Sequence, residues 1–213
     1  MNHKTTPSSG SGSSKIMAIL PWLGWVGFLL SISVFTIAGC STPKKMNEQA
    51  ITYKEQLSKH QIKSAKLSDK LEKQALDNFT NFLQGIGSEQ FIEKEIANTF
   101  AEDSYLNDTL KSLHGREEIK KHFLKTAHTM TSYKLEIDDI AQSGNGYYVR
   151  WTMIYAAPKL ASGKPIESIG VTHVLFNSKG KVLLHQDFWD STSGLFEHIS
   201  VIGGGIRFVK KRL

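Results

Sequence analysis

The densest set of groups able to move protons lies near the end of the chain, in His185-Gln-Asp187-Phe-Trp189-Asp190. In an extended strand alternate residues share a face. Leu183, His185, Asp187 and Trp189 therefore point one way, and Val182, Leu184, Gln186, Phe188 and Asp190 the other. The preceding apolar run places Val171, His173 and Leu175 on one face. If strand pairing sets His173 across from His185 or Asp187, two imidazoles and a carboxylate meet beside Trp151 and Trp189. Burial raises a carboxyl pKa towards neutrality, so an Asp or His in such surroundings can shuttle a proton next to a carbonyl. On that reading His185 and Asp187 are the catalytic candidates. Two plainer alternatives stand beside it: a His–Asp pair that only satisfies its own hydrogen bonds, and a pair that contacts a ligand. His173, His185 and Asp187 are also zinc-ligand types, but they lack the tight spacing of a metal motif. Neither a metal nor a cofactor is expected. Asp190 reads as a cap on the following turn, and Arg150, opposite Trp151, as a surface or interface residue.

The elements that must position these groups change character along the chain. Leu67, Leu71, Ala75, Phe79 and Phe82/Leu83 recur at helical spacing and predict an amphipathic helix over Leu67–Gln84. Gly85-Ile-Gly87 should end it, glycine tolerating the left-handed cap. Ile92, Ile96 and Phe100 predict a second short helix. After Gly115, Ile119, Phe123 and Ala127 make the apolar face of a third, with Lys120, Lys121 and Lys125 opposite. The period then becomes two: Tyr133, Leu135 and Ile137 alternate with Lys134, Glu136 and Asp138. Strands follow over Tyr147–Ala156, Ile169–Phe176 and Val182–Asp190, joined by Gly144-Asn-Gly146, a Pro158–Pro165 loop and the turn Asn177-Ser-Lys-Gly180. Helices first and an antiparallel meander after them is an α+β layout, with about three helices packed on a strongly curved antiparallel sheet.

The front of the chain gives an address. Ile16–Ala38 is 23 residues without a charge, enough to cross a bilayer at about 1.5 Å per residue. Ile37-Ala38-Gly39-Cys40 resembles the bacterial lipobox, whose cysteine thiol takes a diacylglycerol, and Ser41 at the next position resembles the outer-membrane sorting signal. Cys40 is the only cysteine, so no intramolecular disulfide competes for it. The expectation is a lipoprotein signal peptide over 1–39, lipidation and palmitate at Cys40, and a periplasm-facing outer-membrane protein. The alternative is an uncleaved transmembrane helix. Residues 40–66, Lys-rich with Pro43 after the anchor, read as a tether. From Cys40 onward the chain has 174 residues and, without Lys4 and Lys15, a net charge of +4 rather than +6. No basic tract with interleaved aromatics points to nucleic acid.

The run from Phe100 through Gly115 to Phe123, with the three long strands ending in His185-Gln-Asp-Phe-Trp-Asp190, resembles the nuclear transport factor 2-like superfamily and, within it, the SnoaL-like group. Tyr155–Pro158, Asn177–Lys181, Glu197-His-Ile and the terminal Ile206-Arg-Phe-Val-Lys-Lys-Arg-Leu213 resemble a set of small bacterial proteins of that group. The resemblance implies a cone-shaped fold over 67–194: the sheet curls around a helix and leaves a pocket at the wide end. It would make Tyr105, Trp151, His173 and Trp189 ligand-contacting candidates, with His114 at the rim. Related chains often carry Asp-Pro after the first short strand, whereas this one has Asn107-Asp108, so that edge should be built differently.

Residues 195–213 form a basic tail in which Ile206, Val209 and Leu213 share a helical face and Arg207, Lys210, Lys211 and Arg212 supply four charges. Gly203-Gly-Gly205 reads as a flexible joint before it. Such a tail would lie on anionic phospholipid, or it is a solvated helix end whose lysines suit the helix dipole. The expected function is a membrane-anchored protein that holds a small hydrophobic ligand or a protein partner. The alternatives are an isomerase, cyclase or dehydratase using a pocket Asp or His as base, and a homodimerisation module.

Overall fold

The computed structural model describes residues 44–213, with side chains from residue 50. The expected signal peptide and Cys40 lie outside the described residues. Among the described residues no helix is long and apolar enough to cross a membrane. Residues 48–213 form one compact unit. Its elements are α1 (Lys44–Gln61), α2 (Asp69–Gly85), α3 (Glu89–Thr99), β1 (Phe100–Asn107), β2 (Ser112–His114), α4 (Arg116–Thr129), β3 (Ser132–Ser143), β4 (Gly146–Ala156), β5 (Ile166–Phe176), β6 (Val182–Trp189), a single turn α5 (Ser191–Gly194) and α6 (Ile202–Lys210).

The six strands make one sheet in the order β2-β1-β6-β5-β4-β3. The meander β3 to β6 is antiparallel as its period predicts. β1 runs parallel to β6, so the sheet is mixed. Register shifts interrupt the pairing near Phe100/Tyr105, Ile137/Asp139 and Leu175/Phe176. Each such irregularity bends a strand and adds local twist, which curls the sheet. Phe79, Phe82 and Leu83 of α2, Ile92 and Ile96 of α3, and Ile119 and Phe123 of α4 fill the concave side against Val149, Trp151 and Val174.

Three local features differ from the sequence expectation. Phe100 does not belong to the second helix. It is the first residue of β1, and its fully buried ring packs edge-on to Phe82. Gly85 and Gly87 do not supply a left-handed cap, since Ile86 after the helix is right-handed. They serve close approach instead: a Cβ at Gly85 would lie 2.2 Å from the Phe91 ring, and one at Gly87 would lie 2.8 Å from Tyr133 Cβ. Gly203–Gly205 form no joint. They are the first turn of α6, and a Cβ at Gly203 would stand 2.0 Å from the Glu197 carbonyl oxygen.

The tether stretch also differs. It contains α1, and Tyr53, Leu57 and His60 pack on the convex face of the sheet. Leu57 rests on the small cluster of Tyr105, Leu175 and Leu184, and the His60 ring stacks on Tyr105. Positive φ at Gly144 (60°) and Gly180 (72°) makes both hairpin turns, as expected.

Candidate functional site

Between α4 and the concave face lies a cavity of about 260 Å³. An apolar cavity of about 150 Å³ accepts a benzene-sized guest, so the space suits a small organic molecule. Its walls are mainly apolar: Leu83 and Ile86 behind, Phe123 and Met130 from α4, Leu135, Met153 and Trp151 from the sheet, and Trp189 and Leu195 at the end. Two other hollows of about 360 and 370 Å³ are lined mostly by polar side chains such as Glu95, Lys179 and Lys181, or Glu102, Arg116 and Glu118. They lack this combination of aromatic wall and buried titratable groups.

The pairing of β5 with β6 decides which groups reach the cavity. Thr172 stands across from Asp187, Val174 from His185 and His173 from Gln186. His185 and Asp187 therefore meet Thr172, not His173. The Asp187 carboxylate accepts at Oδ1 from Thr172 Oγ1 (2.5 Å) and from His185 Nε2 (2.8 Å). Trp151 Nε1 donates in turn to Thr172 Oγ1 at 2.9 Å. Because an ionised carboxylate only accepts, His185 donates to it from Nε2. The other ring nitrogen of His185, Nδ1, is buried without a hydrogen-bond partner. The ring is enclosed by Phe79 (5.5 Å, edge-on), Phe100 (6.2 Å, stacked) and Phe123. His185 thus donates to Asp187 and orients it, and both line the cavity.

A second carboxylate–imidazole pair faces the same cavity and carries no motif that would have drawn attention to it. Asp108 Oδ2 lies 2.8 Å from His122 Nε2 of α4. Burial pushes the Asp108 carboxyl up, but the His122 contact and the N–H groups of Lys111 and Leu110 outweigh it and hold it below the usual value. Those bonds also explain the Asn107-Asp108 departure. Asp108 Oδ1 accepts from Leu110 N (2.9 Å) and Lys111 N (2.6 Å), and Asn107 Oδ1 from Thr109 N (2.7 Å). Side chains hold this turn in place of the proline that the family resemblance led one to expect. Thr109, at φ 75°, donates its hydroxyl to the Asp187 carbonyl. Trp189 Nε1 donates to the Asp108 carbonyl at 2.8 Å, tying the turn to the end of β6.

Two phenols close the remaining wall. Tyr133 donates to the Leu83 carbonyl and Tyr155 to that of Gly194, both at 2.6 Å. Burial, and then the charge of Asp187, pushes the Tyr133 phenol far up, and burial also raises Tyr155. Asp190 caps α5 as expected, accepting from Thr192 N and Ser193 N.

His173 and Tyr105 belong to the convex face and do not line the cavity. His173 Nδ1 lies 2.9 Å from the Tyr53 hydroxyl, and its ring stacks on Tyr148 at 4.6 Å. Tyr105 is fully buried, donates to Ser112 Oγ and takes a bond from Asn107 Nδ2. His114 packs against Tyr105 there rather than at the cavity rim. Arg150 is exposed on the sheet. Of the four expected ligand contacts the structure brings Trp151 and Trp189 to the cavity, beside His185 and Asp187. Asp108, His122, Tyr133 and Thr172 join them without having been singled out for the site. Among the described residues no group of three His, Cys, Asp or Glu side chains is placed to hold a metal ion.

Residues 80–185 match the family model of the SnoaL-like domain. The solved structures to which the chain is similar include a protein from Jannaschia sp. CCS1 assigned to the SnoaL-like polyketide cyclases. It is 12% identical with a TM-score of 0.53, over 64% of this chain and 99% of that one. TsrD from Streptomyces laurentii is 17% identical at a TM-score of 0.50, over 62% and 97% of the two chains. An NTF2-like protein from Anabaena variabilis ATCC 29413 is 13% identical at 0.50, over 61% and 97%. At these identities the likeness is one of fold. No curated protein matches the sequence.

Proposed function

We propose that this chain, which belongs to the nuclear transport factor 2-like superfamily through its SnoaL-like domain, is a cell-envelope lipoprotein that holds a small, mainly hydrophobic molecule in the cavity beside Asp187. The observation that carries the reading is the cavity itself. Its walls are apolar and aromatic, its few polar groups converge, and the fold has preformed it. The test uses the full chain in detergent with Nile red, a neutral dye that brightens in apolar surroundings. Wild type should bind it with a blue-shifted emission, and Thr126→Trp, which fills the space from α4, should not. Equal binding by both would remove the cavity from the account.

The anchor is diacylglycerol on Cys40 after cleavage behind Gly39. Radiolabelled palmitate should mark the wild-type protein and not Cys40→Ala; label on the variant would refute the anchor. α6 adds a second membrane contact. Arg207 and Lys210 are turned back onto Glu197, while Ile202 and Val209 are 50% and 54% exposed and Lys211 and Arg212 follow. Deleting Phe208–Leu213 should weaken binding to anionic liposomes, and unchanged binding would end that part of the proposal.

A second reading, an isomerase or cyclase with Asp187 as base, is favoured by one detail: Thr172 and His185 both hold Oδ1, and Oδ2 has no hydrogen-bond partner among the described residues. A carboxylate so fixed can take a carbon-bound proton next to a carbonyl. If the co-purifying molecule exchanges deuterium from D2O on wild type and not on Asp187→Asn, this reading replaces simple binding.

A further inference from the structure

We propose that the molecule held in this cavity is an organic cation, an amine or quaternary ammonium on a small apolar body. The proposal rests on the reading of the cavity as a ligand site and adds the charge of its occupant. Among the described residues two carboxylates line the space, Asp187 and Asp108, and no lysine or arginine does. Asp108 has its counter-group in His122. Asp187 has none. Its partners are the Thr172 hydroxyl and the Nε2–H of His185. A second proton on His185 would put an N–H at Nδ1, a buried position without an acceptor, among the rings of Phe79, Phe100 and Phe123. With Nδ1 unprotonated, the pair carries one net negative charge and is one positive charge short of neutral.

An ionised carboxylate away from water and without a counter-ion is costly to the fold. A cation carried in by the ligand offsets that cost directly, because charges interact more strongly in a water-poor site than in solution. The walls supply the second half of the recognition. Trp151, Trp189 and Tyr133 line the same space as Asp187. Aromatic faces attract ammonium groups, indole most strongly, and gain more once water is excluded. The charge of Asp187 is felt at Tyr133, whose phenol it helps to push up. A neutral apolar guest would use the walls and leave the charge uncompensated, and an anion would be repelled by it.

The experiment compares two probes of the same shape, benzyltrimethylammonium and its carbon isostere neopentylbenzene, in displacing Nile red from the full chain in lipid nanodiscs. Empty nanodiscs correct for partitioning into lipid. The cation should displace the dye at a free concentration at least about tenfold lower than the isostere. Asp187→Asn should reduce that preference to near unity. If the isostere competes as well as the cation on wild type, the cationic occupant is overturned while the cavity reading stands. If Nile red itself does not bind, both fall. The wild-type comparison needs no variant, so a failure of Asp187→Asn to fold leaves the proposal open to refutation.

Discussion

His173 and His185 lie one strand apart, on β5 and β6, and both are buried, at 4% and 2% exposure. One residue of register puts them on opposite faces of the sheet. On the convex face His173 is sandwiched between Tyr148 and α1, its Nδ1 closed off by the Tyr53 hydroxyl. On the concave face His185 is equally enclosed, but it hands its Nε2–H to a carboxylate that borders open space. The two faces use the same residue types for opposite ends. The convex side spends its imidazoles on fastening a helix, and the concave side uses one to aim a charged group. Space beside a fixed polar group, more than the presence of a titratable residue, distinguishes a site from packing.

Substitutions that act on one face only should separate these roles. The largest effect is expected from Gly170→Val. The Trp151 ring lies across Gly170, and a Cβ there would stand 2.3 Å from Cζ2. Displacing a wedged indole should cost about 3 kcal/mol of stability and abolish Nile red binding, read by thermal melts and fluorescence. His185→Phe leaves Asp187 with Thr172 as its one side-chain donor; about 2 kcal/mol should be lost and the preference for a cationic probe should change. His173→Phe should cost about 1 kcal/mol through the lost Tyr53 contact, with ligand affinity unchanged. A fall in ligand affinity on His173→Phe would contradict the separation of the two faces.

Acid should act on the convex face. Burial holds His60 and His173 below their ordinary value of 6.5. For His60 the neighbouring Lys59, Lys63 and His114 push further down against Asp103. Below about 6.5 the unfolded chain takes protons that the folded one refuses, so stability present above that pH is lost as pH falls towards the folded values. The melting temperature should drop between pH 7.5 and 5, and a His60→Gln/His173→Gln variant should show a flatter profile. The smallest change is expected from exposed Arg150→Ala, within about 0.5 kcal/mol and without effect on binding.

Much of this arrangement could be read from the residues. The alternation of Leu183, His185, Asp187 and Trp189 correctly joined the last three at one face, because period two follows from backbone geometry alone. The period of α2 to α4 likewise placed Phe79, Phe82 and Phe123 in the core. Register is where the reading stops: nothing local says whether His173 faces Gln186 or Asp187, and a one-residue slip exchanges the two faces. Asp108 and His122 were missed for a related reason. They are 14 positions apart, in a turn and on a helix otherwise read for its apolar stripe, and only the tertiary fold joins them. α1 carries a composition typical of a solvated linker, and its anchoring depends on Tyr53, Leu57 and His60 finding Tyr105, His173 and Phe188 far along the chain.

The concave cavity is proposed to hold a small molecule in the cell. Native mass spectrometry of the full chain, isolated in detergent from its own cells, tests this proposal most directly. Wild-type protein should carry a mass increment of a few hundred daltons that disappears from Thr126→Trp and persists in His173→Phe. A bare mass for wild type, or an increment that survives filling of the cavity, would contradict it.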